Sequence, residues 1–178
     1  MQEVVINGII LAKESFSSED EKVKIFSQKL GLLKAYVRSG AKIKSKLSPH
    51  LEPVTLSKIR LFKKHRFTVT DALLRSRFKK IRRNSNKMGR ALDITCILKS
   101  LLPQLAERRK LWNYLIKSFY TGELIVEVFL KELGYDPVSA NCFNCKSKEV
   151  EIFFPEDQIF FCQKCSNKIP QKKKVKIK

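Results

Sequence analysis

The sequence lacks the features that define several classes of protein. Glycine and proline are scarce, with 6 of each in 178 residues, which excludes collagen-like and low-complexity chains. No apolar run approaches the roughly 18 residues that a transmembrane helix needs. Residues 1–8 lack the basic start and the unbroken apolar stretch of a secretory signal peptide. These absences predict a cytoplasmic protein, whose cysteines stay reduced.

Recognisable catalytic motifs are absent as well. The chain has only two histidines, His50 and His65, and both lie among basic residues. It has no phosphate-binding glycine loop, no nucleophile elbow and no clustered acidic pair that would hold Mg²⁺. We therefore expect a protein that is not an enzyme and that acts by binding its partner.

Acidic residues are too few to balance the basic ones. The chain has 37 Lys and Arg against 17 Asp and Glu, a net charge of +20. The excess is greatest in residues 38–90, where Glu52 and Asp71 are the only acidic residues. A heat-adapted surface is the plainer explanation, but such surfaces carry glutamate in comparable number. The charge therefore indicates a polyanionic partner, nucleic acid before membrane.

The first half of the chain is typical of a small β-barrel. Alternating or continuous apolar segments, separated by polar turns, predict strands at residues 4–12, 22–26, 32–38, 54–62 and 66–69. The OB-fold is the five-stranded barrel of this kind. Another small antiparallel barrel, such as an SH3-like one, has the same periodicity.

The second half predicts helices. Apolar residues recur at helical spacing in residues 88–102, 107–120 and 123–133, and Gly134 is placed to end the last helix. The fold class is therefore α+β. We expect an OB-fold barrel in residues 1–75, a small helical bundle in 76–140, a four-cysteine module in 141–168, and a disordered basic tail in 169–178.

Four of the five cysteines have the spacing of a zinc ribbon or knuckle. Two Cys-x-x-Cys pairs are separated by 16 residues: Cys142, Cys145, Cys162 and Cys165. Residues 150–154 and 158–161 predict a hairpin between them. Four thiolates complete a tetrahedral Zn²⁺ site with no open position, so one structural zinc is expected. A redox pair would leave the second Cys-x-x-Cys unexplained. Cys96 lies in a helical apolar pattern and is expected to be an inert core thiol.

Basic residues in the barrel segment form three clusters, which we predict to bind nucleic acid. The candidates are Arg38, Lys42, Lys44 and Lys46; Lys63, Lys64 and Arg66; and Arg75, Arg77, Lys79 and Lys80. In an extended segment the three lysines at 42, 44 and 46 would point the same way. Phe67 and Phe78 are placed to stack on bases, although core packing is the commoner role of such residues.

Several motifs, in order along the chain, resemble one known family. Gly40-Ala-Lys42-Ile-Lys44-Ser-Lys46 is followed by Leu51-Glu52-Pro53, and Leu133-Gly134-Tyr135-Asp-Pro137 leads into Cys142. With a barrel, helices and a four-cysteine module in this order, the chain resembles the bacterial recombination mediator RecO family. It differs in having Lys46-Leu47-Ser48 where the family often has Arg-Phe-Gly after its serine. Its helical segment is also shorter, so it resembles a short member.

The resemblance implies a function without catalysis. RecO-like proteins bind single- and double-stranded DNA and anneal complementary strands. With RecR, they help load RecA onto DNA coated by single-stranded-DNA-binding protein (SSB). The implied partners are DNA, RecR and SSB, and the implied location is the nucleoid. The alternative is a basic zinc-ribbon protein that binds RNA or the ribosome without annealing activity. A nuclease is a third hypothesis, which no acidic cluster supports.

Overall fold

The first five strands close into a barrel in the computed structural model, which describes residues 2–169 and 173–177. The strands are β1 (Gln2–Ser15), β2 (Glu21–Ser27), β3 (Gly31–Val37), β4 (Leu56–Lys63) and β5 (Phe67–Ser76). Their order around the barrel is β1-β2-β3-β5-β4, and β3 pairs with β5 in parallel. This is the strand order of an OB-fold, so the predicted fold is confirmed; a wholly antiparallel barrel would lack the parallel contact.

The long strand β1 closes the barrel because it pairs with two neighbours. Gln2 to Ile9 pair with β4, and Gly8 to Ser15 pair with β2, with a register shift between Ile10 and Ala12. Such an irregularity bends a strand and increases its twist, as closure requires. A side chain at Gly8 would collide with Ile25, so the barrel needs glycine there.

The barrel interior is filled mainly by apolar side chains. Its twelve buried residues are Ile6, Ile10, Val23, Ile25, Leu33, Ala35, Val37, Leu51, Ile59, Leu61, Val69 and Ala72. The strand β1 is buried on both faces at its centre. Ile10 points inside, whereas Ile9 and Leu11 pack in a second core outside the barrel.

Helices form that second core against one side of the barrel. They are α1 (Lys79–Arg82), α2 (Ser85–Leu101), α3 (Arg109–Thr121) and α4 (Val126–Glu132). A short fifth helix, α5 (Gln163–Ser166), lies in the cysteine module, and Ser48–His50 forms a 3₁₀ turn. The three predicted helices are confirmed with shifted ends. Phe26 of β2 meets Trp112 of α3 with 5.7 Å between ring centroids. None of the helices in the described part of the chain has the length and apolar character needed to cross a membrane.

The C-terminal part contributes a small second sheet. Strands β6 (Ile152–Phe154), β7 (Ile159–Phe161) and β8 (Val175–Lys176) lie in the order β7-β6-β8. The hairpin of β6 and β7 is the one predicted between the cysteine pairs. The three parts of the chain share a core, since Phe153 and Phe160 of this sheet pack in the same cluster as the helices.

The tail differs from the expected disorder where it is described. Val175 and Ile177 are buried, and β8 pairs with β6. Arg90 of α2 donates a hydrogen bond to the Lys176 carbonyl at 2.6 Å, and Lys173 lies 3.9 Å from Asp93. Two apolar residues alternating with lysines give this segment a face to bury, which a purely basic tail would lack. Residues 170–172 and 178 of the predicted tail lie outside the described residues.

Candidate metal centre and nucleic-acid interface

The four predicted ligand cysteines meet in space. Their sulfur atoms all lie within 4.8 Å of one another, and Sγ of Cys145 is 3.7 Å from Sγ of Cys162. Four sulfurs around one tetrahedral Zn²⁺ at 2.3 Å would be about 3.8 Å apart. Cys142 and Cys165 are buried, whereas Cys145 is exposed. The cluster is therefore close enough to bind a metal ion.

Backbone turns aim both cysteine pairs at the same point. In the first pair, the Cys142 N–H donates to Ser147 at 2.8 Å, and the Cys142 carbonyl accepts from Lys146 at 3.0 Å. In the second, the Cys162 carbonyl accepts from the Ser166 N–H at 3.0 Å as α5 begins. Asn144 also donates its side-chain amide to Sγ of Cys165, at 3.4 Å.

The electrostatics of the cluster favour a bound cation. Burial raises the pKa of Cys142, but backbone hydrogen bonds from Cys145, Cys162 and Asn144 outweigh it and bring the pKa to about 6. A backbone hydrogen bond from Ser147 lowers the pKa of Cys145, yet contacts with the three other cysteine side chains raise it to about 11. Adjacent thiolates repel one another, so all four ionise together only when a cation balances them.

The hairpin supports the cluster on one face and the helices on the other. Ile152 and Phe154 pack with the cysteines. Phe153, between them in β6, points the opposite way and lies 5.5 Å from the Tyr135 ring, measured between centroids. The hydroxyl of Tyr135 also hydrogen-bonds to Gln158 in the hairpin turn. Successive side chains of β6 point to opposite faces, so this one strand contacts both the cysteine cluster and the helical core.

The fifth cysteine has a different environment. Cys96 is buried in α2, and burial raises the pKa of its thiol. A raised pKa keeps the thiol protonated and unreactive at neutral pH. Cys96 is therefore placed as a core residue, apart from the cluster.

All eleven predicted nucleic-acid-binding residues are exposed. They are Arg38, Lys42, Lys44, Lys46, Lys63, Lys64, Arg66, Arg75, Arg77, Lys79 and Lys80. They do not form one patch, because the β4–β5 turn and the C-terminal end of β5 are separated by the length of that strand, about 30 Å. The structure does bring Lys42 and Arg77 together along one groove. A second groove joins Arg77 to Arg75, Lys79 and Lys80, beside Tyr120.

The loop that carries Lys42, Lys44 and Lys46 is not extended. The Lys42 N–H donates to the Ser39 carbonyl at 3.3 Å, and the Ser45 N–H donates to the Lys42 carbonyl at 2.9 Å. The loop is therefore a series of turns. The three lysines would point the same way only in an extended segment, which this loop is not. In addition, the Lys42 ammonium lies 2.9 Å from the carboxylate of Glu19.

The two phenylalanines considered for base stacking lie in the interior or partly so. Phe78 is buried and meets Phe119 edge to face, with 5.1 Å between centroids. Phe67 is partly buried against the barrel core, with the Lys63 ammonium 5.2 Å from its ring centroid. Phe78 is thus a core residue, which is the commoner of the two roles considered for it.

Sequence reasoning missed a basic face on the barrel. Lys24 of β2 lies directly opposite Lys34 of β3, and Lys22 lies opposite Tyr36. These four side chains point away from the barrel interior, in which Val23, the residue between the two β2 lysines, is buried. The alternation of lysine and apolar residues in β2 was the signal that could have identified this face.

Comparison with known proteins finds the same similarity along most of the chain. Residues 1–78 match the family model described as Recombination protein O N terminal. "DNA repair protein RecO" of Thermodesulfovibrio yellowstonii is 26% identical over 174 residues, covering 90% of this chain and 69% of that protein. The RecO protein of Dehalococcoides mccartyi strain CBDB1 is 27% identical over 175 residues, with the same shares. The RecO protein of Clostridium perfringens strain 13 is 26% identical over 153 residues, covering 79% of this chain and 62% of that protein.

Proposed function

Because the chain is a relative of the RecO proteins, we propose that it is a DNA repair and recombination mediator. It binds single- and double-stranded DNA and anneals complementary strands. With RecR, it helps load RecA onto single-stranded DNA coated by SSB. The observation that carries this proposal is the exposure of all eleven predicted basic residues on and beside an OB-fold barrel.

Annealing by such a protein requires charge and proximity but no covalent chemistry. Two DNA strands repel each other through their phosphates, and a cationic surface that neutralises some of them lowers that repulsion. Bound lysines and arginines also release counterions, which makes the affinity fall steeply with salt. The net charge of +20 on 178 residues gives the chain a large excess of such cations. A DNA-bound protein of this kind would work in the cytoplasm, at the nucleoid.

The metal in the proposal is one structural Zn²⁺, held by Cys142, Cys145, Cys162 and Cys165. Four sulfur donors are the set that Zn²⁺ prefers in closed sites. Because the four ligands are all from the protein, no position remains for a substrate. The Zn²⁺ ion holds the second sheet together, since the free energy of metal binding in such a site contributes to folding.

The proposal is tested by reversing the charge of the loop lysines. We expect Lys42→Glu, Lys44→Glu and Lys46→Glu, combined, to weaken DNA binding at least tenfold and to lower the salt dependence of log K by up to about 3. Binding is measured by the anisotropy of a labelled oligonucleotide across a salt series.

The matched control reverses three exposed lysines on the helices, Lys110, Lys117 and Lys131. It makes the same change in net charge and should weaken binding less. Equal binding by wild type and the loop variant would contradict the assigned surface. RNA binding far stronger than DNA binding, without annealing, would favour the alternative of an RNA-binding zinc-ribbon protein.

A further inference from the structure

Four side chains, of which only Arg66 belongs to a predicted cluster, form a partly exposed aromatic and cationic group at one end of the barrel. We call Phe16, Lys22, Tyr36 and Arg66 the aromatic platform. The rings of Phe16 and Tyr36 meet edge to face, with 4.9 Å between centroids. The Lys22 ammonium lies 3.8 Å from the Phe16 centroid, and the Arg66 guanidinium carbon lies 4.0 Å from that of Tyr36.

Barrel closure assembles the platform from distant parts of the chain. Phe16 follows β1, Lys22 is on β2, Tyr36 is on β3, and Arg66 lies in the turn between β4 and β5. Tyr36 pairs with Thr68 across the parallel β3–β5 contact, which brings the β4–β5 turn beside β3.

The loop that carries Phe16 is held in place before any ligand binds. The Phe16 N–H donates to the Asp20 carbonyl at 2.9 Å. The Asp20 carboxylate in turn accepts from the Ser39 N–H at 2.8 Å, which ties this loop to the one after β3. Phe16 nevertheless remains 43% exposed, and Arg66 is exposed as well. A fixed, exposed ring is suited to contact a ligand at small entropic cost.

The strands beside the platform carry charges that do not favour the barrel itself. Lys24 and Lys34 lie directly opposite each other on β2 and β3, and like charges in that position destabilise a sheet. Glu14, at 3.9 Å from Lys24, is an exposed and weak partner. The placement is favourable once an anion lies over this face. The opposed pair of Lys24 and Lys34 therefore indicates that a phosphate backbone binds next to the rings.

We propose that the aromatic platform stacks unpaired bases of a single-stranded nucleic acid, while Lys24, Lys34 and Arg38 contact its phosphates. This proposal rests on the proposed function and names the form of nucleic acid that this face selects. Every base has a face that stacks on an aromatic ring or a guanidinium plane, so the contact needs no particular sequence. In a duplex those faces are already stacked, so the platform holds single strands and loses its contacts once they pair.

The test separates base contacts from phosphate contacts. Wild-type protein is titrated with an oligothymidylate and with an abasic oligonucleotide of the same length and charge. Stacking contributes about 5- to 150-fold in affinity for each base, so we expect the wild type to prefer the oligothymidylate by at least that lower factor. Phe16→Ala combined with Tyr36→Leu should remove most of the preference and leave abasic binding and its salt dependence unchanged.

Phe143→Ala is the matched control. Phe143 is 59% exposed and has the Lys146 ammonium 5.5 Å from its ring, but it lies outside the barrel. It should keep the full preference for bases. Thermal unfolding of each variant checks that the barrel remains folded.

A gain-of-signal variant gives a second, independent readout. The natural chain has one tryptophan, Trp112, which is buried. Phe16→Trp therefore adds an exposed reporter, and we expect oligothymidylate, but not the abasic strand, to quench its fluorescence. Equal wild-type affinity for the two strands would overturn the platform while leaving DNA binding intact. Binding to neither strand would overturn both this proposal and the proposed function.

Discussion

The barrel and the cysteine module differ in where their functional side chains lie. In the barrel, the basic residues are exposed on a core of twelve apolar residues that does not include them. In the module, Cys142 and Cys165 are themselves part of the small core with Ile152, Phe154 and Phe161. The module's strands have only two or three residues each, too few to be stable alone.

Because of this difference, we expect substitutions in the two regions to affect nucleic-acid binding and stability separately. A change to the exposed charges of the barrel should alter nucleic-acid binding at little cost in stability. A change to the module's cysteines should alter stability first. The two regions nevertheless share a second core through the helices, so loss of the module should reach the rest of the fold.

The largest expected effect is that of Cys142→Ser. Removing one of four thiolates should release the metal, and structural Zn²⁺ in small modules is worth about 10–16 kcal/mol of folding free energy. We expect zinc content to fall from one to near zero per chain and the second sheet to unfold. Zinc is measured by elemental analysis and unfolding by calorimetry.

Cys96→Ala is the control for that variant, because it removes a buried cysteine that lies outside the cluster. It should keep one zinc per chain. A Cys142→Ser protein that retains both the metal and its melting temperature would contradict the structural role of the site.

Two adjacent phenylalanines in the module face different cores. Phe153 and Phe154 are both buried, but they face the helical core and the cysteine cluster respectively. Replacing either with Ala should cost about 3–5 kcal/mol of unfolding free energy. Only Phe154→Ala should also weaken zinc binding, measured by competition with a chromophoric chelator. Equal zinc affinity in the two variants would contradict the assignment of the faces.

A core substitution in the barrel should leave the metal in place. Leu61 is fully buried among the barrel's apolar residues, and Leu61→Ala should cost about 2–5 kcal/mol. Denaturant unfolding measures the loss, and elemental analysis should still find one zinc per folded chain. A loss below about 1 kcal/mol would show that the barrel interior is not packed as described.

The smallest effect, and the one that separates binding from stability most clearly, is that of Lys34→Glu. It replaces two opposed lysines by an oppositely charged cross-strand pair with Lys24, which should stabilise the barrel by about 0.2–1 kcal/mol. DNA binding should weaken at the same time. Lys58→Glu, on the exposed face of β4, is the control that changes the same charge away from this pair. A Lys34→Glu protein that is less stable but binds DNA normally would contradict the assigned face.

Local patterns in the sequence predicted the elements well. The five barrel strands follow from alternation and turns, and the hairpin between the cysteine pairs follows from their spacing. The conformation of the Lys42–Lys46 loop could not be predicted from local patterns, because it depends on contacts with Ser39 and with the distant Glu19. A two-residue strand such as β8 has too short a pattern to detect and exists through its pairing with β6.

The candidate surfaces were predictable to different degrees. Cysteine spacing identifies a metal cluster because both pairs are short-range motifs. The aromatic platform was missed because its residues are distant in the sequence: Tyr36 follows Phe16 by 20 residues, and Arg66 follows Tyr36 by 30. They meet only after the parallel pairing of β3 with β5 closes the barrel. No local pattern carries that information.

Annealing is the activity that most directly tests the central proposal. Two complementary oligonucleotides are mixed with stoichiometric protein, and duplex formation is followed at increasing salt concentration. We expect rapid annealing at low salt that is lost as salt displaces the protein from the phosphates. Binding of both strands without faster duplex formation at any salt concentration would contradict it.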